Sequence, residues 1–306
     1  MYISCYDAAM DESSDIWDLV VIGGGPAGMM AAGRAAELLT AQAGGVKVLL
    51  IEKNATLGRK LLITGGGRCN VTNAEPDTKK LLTQFKKGGK FLPSSFSQWD
   101  TQSSIKFFND MRMPTKIEAQ QRVFPVSDSA RSVWEVLVDY MKSGGVSILS
   151  NSPVSDLTID TAGICAITLK KGRVIQAKRC ILAAGGISRP ETGSTGDAFA
   201  WLKQLGHSVS DTGAALVPIA LKDSWTQRAA GASLPNVKIT AYQNGAKQES
   251  ITGKILFTHV GLSGPAILNM SRDIGELLLY GPVSLQLDLL PDMGPEKVNA
   301  KLQEVF

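Results

Sequence analysis

Residues 19–28 read LVVIGGGPAG, and this stretch decides the fold. A short apolar run rich in β-branched residues predicts a buried strand, and the glycines after it predict a tight turn. An alanine- and methionine-rich stretch from 26 to about 39 predicts a helix, and a second apolar run at 46–51 predicts another strand. Strand, turn, helix and strand form a βαβ unit, so the sequence predicts an α/β fold with a parallel sheet.

The glycines of the turn match the spacing GxGxxG at Gly23, Gly25 and Gly28. The first permits the sharp turn, the second lets the backbone approach a pyrophosphate, and the third lets the helix pack close to the strand. The helix that begins with Pro26 and Ala27 presents free N–H groups and a partial positive charge to phosphates. These five residues are therefore predicted to bind a dinucleotide cofactor.

Glu52 directly follows the second predicted strand. A carboxylate at this place can accept hydrogen bonds from both ribose hydroxyls of an adenosine. It would repel a 2′-phosphate, so the predicted adenosine belongs to FAD or NAD rather than to NADP.

A second glycine cluster lies within residues 53–73. Three consecutive glycines suit a loop that lies against a flat ligand with its backbone N–H groups directed at it. Basic side chains nearby are suited to neutralise a diphosphate. The predicted cofactor-binding residues of this stretch are Lys53, Arg59, Lys60, Thr64, Gly65, Gly66, Gly67, Arg68, Cys69 and Asn70.

The strings VVIGGGPAGMMAA, IEK and LGRKLLITGGGRCNVTN within residues 20–73 resemble the YhiN/BaiN-like flavoproteins, FAD-dependent oxidoreductases also described as aminoacetone-oxidase-like. The resemblance continues at 181–188, 192–197 and 256–268. It implies a Rossmann-like FAD-binding domain of the glutathione-reductase type, interrupted by a second, strand-rich substrate domain, with FAD as the cofactor. It also implies cofactor contacts from Val154, Ala184 and Gly185.

The chain departs from that family in two places. Ala183-Ala184-Gly185 stands where the family usually has Ala-Thr-Gly, and the family's C-terminal segment with a second cofactor motif has no counterpart before Phe306. The resemblance therefore leaves an alternative open, in which the chain is a truncated, catalytically incompetent nucleotide-binding fragment of such a flavoprotein.

The domain organisation follows from composition along the chain. Residues 1–17 are predicted to be a disordered acidic leader, and 18–200 an FAD-binding domain with a helical insert near 74–145. Short strands separated by turns at 153–184 predict a β-meander. Residues 201–306 are predicted to be an incomplete substrate domain.

Acid–base and redox candidates are few. Cys69 could donate electrons near a flavin, but no second cysteine lies nearby in the sequence, and a packing role is favoured. His259 lies in a glycine-rich motif, where a structural, hydrogen-bonded histidine is favoured over an acid–base role. Asp197 is interpreted as the N-cap of a short helix rather than as a base.

The composition excludes several classes of protein. The chain has 306 residues, a net charge of +4, four cysteines without CxxC spacing and two histidines, which predict a globular protein with free thiols and no metal site. Such a charge does not predict a nucleic-acid partner. The N-terminus lacks the basic start of a secretory signal, and no apolar stretch is long enough to span a membrane, so the sequence predicts a cytoplasmic location without membrane contact.

The predicted function is an FAD-dependent oxidoreductase that transfers a hydride between a small organic substrate and flavin N5. NAD(P)H or oxygen is the expected redox partner. Amine oxidation and reduction of a conjugated double bond are both compatible with the predicted site. An NAD-only dehydrogenase is a further alternative, and the TGGGRCN loop argues against it.

Overall fold

A computed structural model of the chain describes residues 16–40, 45–210 and 212–305. The chain divides into two compact units, Met1–Val209 and Ser210–Phe306. Residues 1–15 of the predicted leader lie outside the described residues. Trp17 already pairs its backbone with Ala177, whereas the domain is predicted to start at residue 18. The other predicted domain boundaries stay predictions.

The first unit alternates strands and helices. Its elements are β1 (Leu19–Ile22), α1 (Pro26–Thr40), β2 (Val48–Ile51), α2 (Arg59–Ile63), β3 (Thr72–Asn73), α3 (Thr78–Thr83), α4 (Pro93–Gln98), α5 (Thr101–Asp110), β4 (Thr115–Glu118), β5 (Arg122–Pro125), α6 (Ala130–Ser143), β6 (Ser147–Leu149), β7 (Val154–Ile159), β8 (Cys165–Leu169), β9 (Val174–Ala177), β10 (Cys180–Leu182) and α7 (Asp197–Gln204).

A parallel sheet with the order β10-β1-β2-β6 forms the centre of this unit. All residues of β1 and β2 are buried because both faces of the sheet are covered. Val21 and Leu50 belong to the core on the α1 and α6 face, whereas Val20 and Leu49 belong to the core on the opposite face. The structure confirms the predicted βαβ unit and its parallel sheet.

The opposite face of the sheet is covered by β7, β8 and β9, which pair antiparallel in chain order. This three-stranded sheet is the predicted β-meander. Its strands alternate between buried and exposed side chains, as expected of a sheet with one face toward water. Trp201 of α7 packs into the same core and is 5% exposed.

The second unit is rich in strands. Its elements are β11 (Ile219–Ala220), α8 (Trp225–Arg228), β12 (Ser233–Gln243), β13 (Ala246–Thr258), β14 (Gly261–Ser263), α9 (Pro265–Leu278), β15 (Ser284–Asp288) and α10 (Pro295–Val305). The strands form an antiparallel sheet with the order β11-β14-β13-β12-β15. Ile267, Met270 and Ile274 of α9 are buried in its core, which includes Ile239 and Ile255 of the sheet.

Among the described residues, no helix is both long enough and apolar enough to cross a bilayer.

Candidate functional site

The glycine turn between β1 and α1 lies at the carboxyl end of the central parallel strands. Gly28 packs so closely there that a Cβ at this position would lie 1.8 Å from the carbonyl oxygen of Gly23. Gly23 itself has a φ of +112°, and its Cβ would lie 2.4 Å from the carbonyl oxygen of Ala183. By contrast, a Cβ at Gly25 would meet no atom within 4 Å. Gly23 and Gly28 are thus required by the close packing of the backbone, whereas Gly25 faces open space.

That open space is a cavity of about 270 Å³, which we call the glycine-turn cavity. Small-molecule sites in proteins usually measure roughly 300–1,000 Å³, so its size is close to that of a ligand site. Many of its lining residues are those predicted from the sequence. These are Gly23, Gly25, Pro26, Ala27, Glu52, Lys53, Arg59, Lys60, Val154, Ala184 and Gly185.

Glu52 is 7% exposed, and its carboxylate accepts hydrogen bonds from the chain itself. Oε2 accepts from the backbone N–H of Gly24 at 2.7 Å, and Oε1 accepts from the backbone N–H and the side-chain amide of Asn54 at 2.8 and 2.6 Å. A carboxylate offers about four acceptor positions. Three are used by the chain, which leaves one for a further donor, whereas the sequence predicts hydrogen bonds from both ribose hydroxyls.

Exchanging Glu52 for glutamine is expected to lower the free energy of unfolding by about 1–3 kcal/mol, because the new amide NH₂ would face a backbone or amide donor and leave it unsatisfied. Chemical denaturation followed by circular dichroism measures this change. The matched control is Glu135→Gln, which removes the same charge from an exposed ion pair with Arg131 and is expected to change stability by less than about 0.5 kcal/mol. Equal effects of both substitutions on the free energy of unfolding would show that the buried hydrogen bonds of Glu52 do not contribute to stability.

Several residues that line the glycine-turn cavity are absent from the set predicted from the sequence. Asn54 donates to Glu52 and also, at 3.2 Å, to the carbonyl oxygen of Thr192. Thr192, Gly193, Ser194 and Asp197 line the cavity from the other side. Residues 192–197 belong to the stretches that carry the family resemblance. Only the tertiary structure shows that they lie against residues 52–60, the segment after β2.

Two lysines connect that segment to residues 194–197. Lys53 Nζ donates to Thr195 Oγ1 at 2.6 Å and to Asp197 Oδ2 at 2.7 Å, and Lys60 Nζ donates to Ser194 Oγ at 2.6 Å. Burial favours a raised pKa for Asp197, but hydrogen bonds from Lys53 and Thr195 outweigh it and leave the pKa below its usual value. Asp197 is therefore an ion-pair partner near neutral pH rather than a general base.

The interpretation of Asp197 as an N-cap is wrong. The N-cap of α7 is Gly196, and Asp197 is the first residue of the helix. Its side chain is bound to Lys53 instead, because the segment after β2 lies close enough to supply a cation.

A second cavity, of about 400 Å³, is lined by Lys60 and Pro26, which also line the glycine-turn cavity. We call it the aromatic cavity, because Trp99, Phe107 and Phe108 line it. The predicted residues Thr64, Cys69 and Asn70 also line it. Because they share Lys60 and Pro26 as lining residues, the two cavities adjoin one another.

The triple-glycine loop adopts left-handed backbone conformations, with φ of 58°, 68° and 86° at Gly65, Gly66 and Gly67. Glycine is required there because a side chain would strain this backbone. Neither cavity is lined by these three residues, nor by Gly28. Their assignment as cofactor ligands stays a prediction.

Arg68 is engaged elsewhere. Its guanidinium donates to Glu118 and, at 2.8 Å, to Asp128, and it lies 4.3 Å from the ring centre of Phe124. Two carboxylates already balance its charge, and it lines neither cavity. This arrangement differs from the predicted neutralisation of a diphosphate, so Arg68 is left out of the site that we propose below.

Cys69 is 3% exposed, and burial raises the pKa of its thiol to about 11. The reactive form of a cysteine is the thiolate, which is scarce at neutral pH when the pKa is this high. The described free cysteines are Cys69, Cys165 and Cys180, and none of the described cysteines forms a disulfide. The structure thus supports packing against the aromatic cavity as the role of Cys69.

His259 belongs to the second unit, at the turn between β13 and β14, and its side chain is exposed. A cavity of about 770 Å³ in that unit is lined mainly by apolar residues, including Trp225 and Phe257, but not by His259. An acid–base role for His259 stays a prediction. Within the described residues, no group of three or more His, Cys, Asp or Glu residues is placed to hold a metal ion.

Comparison with known proteins identifies the family of this chain. The family model described as "HI0933-like protein Rossmann domain" matches residues 17–283. The chain belongs to this family. Its Rossmann-like α/β architecture, with the glycine turn and the parallel sheet described above, agrees with that assignment.

Two relatives share about a third of their aligned residues with the chain. A "Ribosomal RNA dihydrouridine synthase" of Escherichia coli is 32% identical over 286 residues, which cover 92% of this chain and 65% of the relative. A "3-dehydro-bile acid delta(4,6)-reductase" of Clostridium scindens is 30% identical over 280 residues, which cover 91% of this chain and 66% of the relative. The chain thus spans about two thirds of the length of these relatives.

Among solved structures, a flavocytochrome c3 fumarate reductase in an open conformation matches with a TM-score of 0.50 and 20% identity. The match covers 73% of this chain and 48% of that one. At this identity the likeness concerns the fold alone.

Proposed function

We propose that this chain binds FAD in the two adjoining cavities and serves a flavin-dependent reduction of a conjugated carbon–carbon double bond. The observation that carries the proposal is the open space at Gly25, where the backbone at the start of α1 can approach a pyrophosphate without obstruction. Glu52 has one acceptor position left for the adenosine ribose. Lys60 lines both the glycine-turn cavity and the aromatic cavity, and would supply positive charge for the diphosphate.

When bound, FAD supplies hydride transfer at flavin N5. The chain's own residues bind and orient it. Lys53 and Lys60 hold residues 194–197 against the segment after β2, which keeps the walls of the glycine-turn cavity in place. Trp99, Phe107 and Phe108 provide an apolar wall of the aromatic cavity against which a flat ring system would pack.

The names of the two relatives support the choice of reaction. The words dihydrouridine and delta(4,6)-reductase both denote saturation of a carbon–carbon double bond, although one relative is named for RNA and the other for a bile acid. A shared chemistry with different substrates favours reduction over the amine oxidation that the sequence also allows. We propose NADH or NADPH as the source of the hydride.

The purified protein is first incubated with FAD, and the unbound FAD is then removed. We expect flavin absorbance, and release of FAD rather than NAD on denaturation, identified by mass. Anaerobic NADH or NADPH is then expected to bleach the flavin, and a conjugated enone to restore its colour, whereas the matched saturated ketone leaves it bleached. A protein that takes up no FAD, or one whose flavin is bleached by amines and not recoloured by any enone, would contradict the proposal.

A further inference from the structure

The triple-glycine loop, residues 64–70, has a backbone that its own sequence does not favour. All three glycines and Cys69 have positive φ, and the value of 60° at Cys69 is uncommon for a residue with a side chain. Such a conformation is unfavourable for a residue with a Cβ and persists only where the surrounding structure holds it. The contacts around the loop therefore show what keeps it in this shape.

Backbone hydrogen bonds close the loop and fix its exit. The N–H of Cys69 donates to the carbonyl oxygen of Thr64 at 3.1 Å. The N–H of Val71, just after the loop, donates to the carbonyl oxygen of Val123 in β5 at 2.8 Å. The loop thus runs directly into the antiparallel sheet with the order β3-β5-β4.

The side chain of Arg68 ties the middle of the loop to the same sheet. Both terminal nitrogens of its guanidinium donate to Glu118 at the end of β4. Nε and Nη2 donate to Asp128 Oδ1, after β5, at 2.8 and 2.5 Å. The guanidinium carbon lies 4.3 Å from the ring centre of Phe124 in β5, and that ring is buried. A planar guanidinium can make all of these contacts at once, which an ammonium group cannot.

Lys116 of β4 completes this group of charges. Its Nζ lies 2.5 Å from Asp128 Oδ2 and 3.6 Å from Glu118 Oε1. The pKa of Glu118 is lowered mainly by the hydrogen bond from Arg68, and that of Asp128 mainly by the hydrogen bond from Lys116, so both carboxylates stay ionised near neutral pH. We call these two cations and two carboxylates the Arg68 network.

The chain neighbours of Arg68 form part of the candidate site, although Arg68 itself does not. Thr64, Cys69 and Asn70 line the aromatic cavity, and the Cys69 side chain is 3% exposed. Because Cys69 directly follows Arg68, a guanidinium fixed on the sheet also restricts where the backbone places the next two side chains. The Arg68 network can therefore shape this wall of the cavity without contacting anything inside it.

We propose that Arg68 is a positioning residue, which holds the triple-glycine loop in the conformation that forms one wall of the aromatic cavity. The hold on the loop follows from the contacts of Arg68, whereas its benefit to FAD rests on the proposed function. A wall that is already formed needs no ordering when the ligand binds. Loss of the Arg68 network is expected to weaken binding in proportion to the fraction of molecules that lose the wall.

The hold on the loop is measured without FAD, by the rate at which iodoacetamide alkylates Cys69. Peptide mass spectrometry separates this thiol from Cys165, which is also buried and serves as the internal reference in the β-meander. We expect Arg68→Gln to accelerate alkylation of Cys69 at least about tenfold relative to Cys165, because a buried thiol reacts only when the segment around it opens. Unchanged alkylation of Cys165 shows that the unit stays folded.

Two further variants complete this measurement. Arg68→Lys is expected to give an intermediate rate, since an ammonium keeps the charge but not the fork of donors. The matched control is Arg131→Gln on α6. Arg131 also lies over an aromatic ring, 4.5 Å from the centre of Trp134, and also pairs with a carboxylate, that of Glu135, but it lines neither cavity. It is expected to leave the rate within about twofold of the original.

Salt distinguishes the Arg68 network from packing alone. Its charged side chains are partly exposed, so they are open to screening. Raising the salt concentration from about 0.1 M to 1 M shortens the screening length from about 10 Å to 3 Å. We expect this change to accelerate alkylation of Cys69 by about twofold to fivefold in the unaltered protein and to have no effect in Arg68→Gln, in which the network is already broken.

Titration of the same variants with FAD, followed by flavin fluorescence, measures the benefit to the cofactor. We expect Arg68→Gln to bind FAD about threefold to tenfold more weakly, Arg68→Lys to lie between it and the original, and Arg131→Gln to be unchanged. Equal alkylation of Cys69 in Arg68→Gln and Arg131→Gln would overturn the hold on the loop. Faster alkylation with unchanged FAD affinity would overturn the positioning role. If the unaltered protein took up no FAD, the proposed function would fail, and the alkylation rates would still decide whether Arg68 holds the loop.

Discussion

Replacing Gly28 with alanine is expected to destabilise the first unit by at least about 3 kcal/mol, since overpacking against rigid backbone is among the most costly single substitutions. The new Cβ would lie 1.8 Å from the carbonyl oxygen of Gly23, so α1 would have to move away from the turn. Ala183 lies directly behind, with its Cβ 3.4 Å away. For a unit of this size we expect the thermal midpoint to fall by roughly 6–12 °C.

Differential scanning calorimetry and chemical denaturation measure this loss in the protein without added FAD. The control is Gly25→Ala, where the added Cβ meets no atom within 4 Å. It is expected to leave the free energy of unfolding within about 1 kcal/mol of the original, or to raise it slightly by restricting the unfolded chain. If Gly28→Ala were as stable as Gly25→Ala, the close packing of α1 on the turn would be refuted.

Gly25→Ala, although it preserves stability, is expected to weaken FAD binding by about 100-fold, equivalent to about 2.7 kcal/mol. The reason is that the added Cβ fills the space into which a pyrophosphate must come to reach the backbone of the turn. Titration of the protein with FAD, followed by the change in flavin fluorescence, measures the affinity.

The control for this affinity change is Gly275→Ala on α9 in the second unit, which adds the same Cβ into open space. It is expected to bind FAD as the original protein does. Unchanged affinity of Gly25→Ala would mean that the dinucleotide does not approach the turn, and the proposed cofactor site would then have to be abandoned.

Local patterns were sufficient for the elements around the glycine turn. The apolar runs before Gly23 and before Glu52 correctly predict two parallel strands. Strands that are buried on both faces consist of apolar residues throughout, so they are recognisable as continuous apolar runs. The β-meander was equally predictable, since its turns at 161–163 and 171–172 separate strands that pair in chain order.

Side-chain partners far apart in sequence were not predictable. The chain neighbours of Arg68 and Asp197 do not predict their ion pairs with Glu118 and Lys53, which lie 50 and 144 positions away. An ionised side chain takes the nearest opposite charge in space, and a sequence without alignment contains no information on which charge that is. Asn54 is not predicted either, because its contact with the carbonyl oxygen of Thr192 joins residues 138 positions apart.

The sequence by itself determined the βαβ core, the dinucleotide type of the turn and the position of Glu52, because each depends on residues within about thirty positions of one another. Only the tertiary structure decided which glycine faces open space and which are needed for packing, since Gly25 and Gly28 cannot be told apart until the carbonyl oxygen of Gly23 is placed. It also decided that residues 192–197 complete the cavity, because the two lysines that hold them reach across 134 to 144 positions of chain.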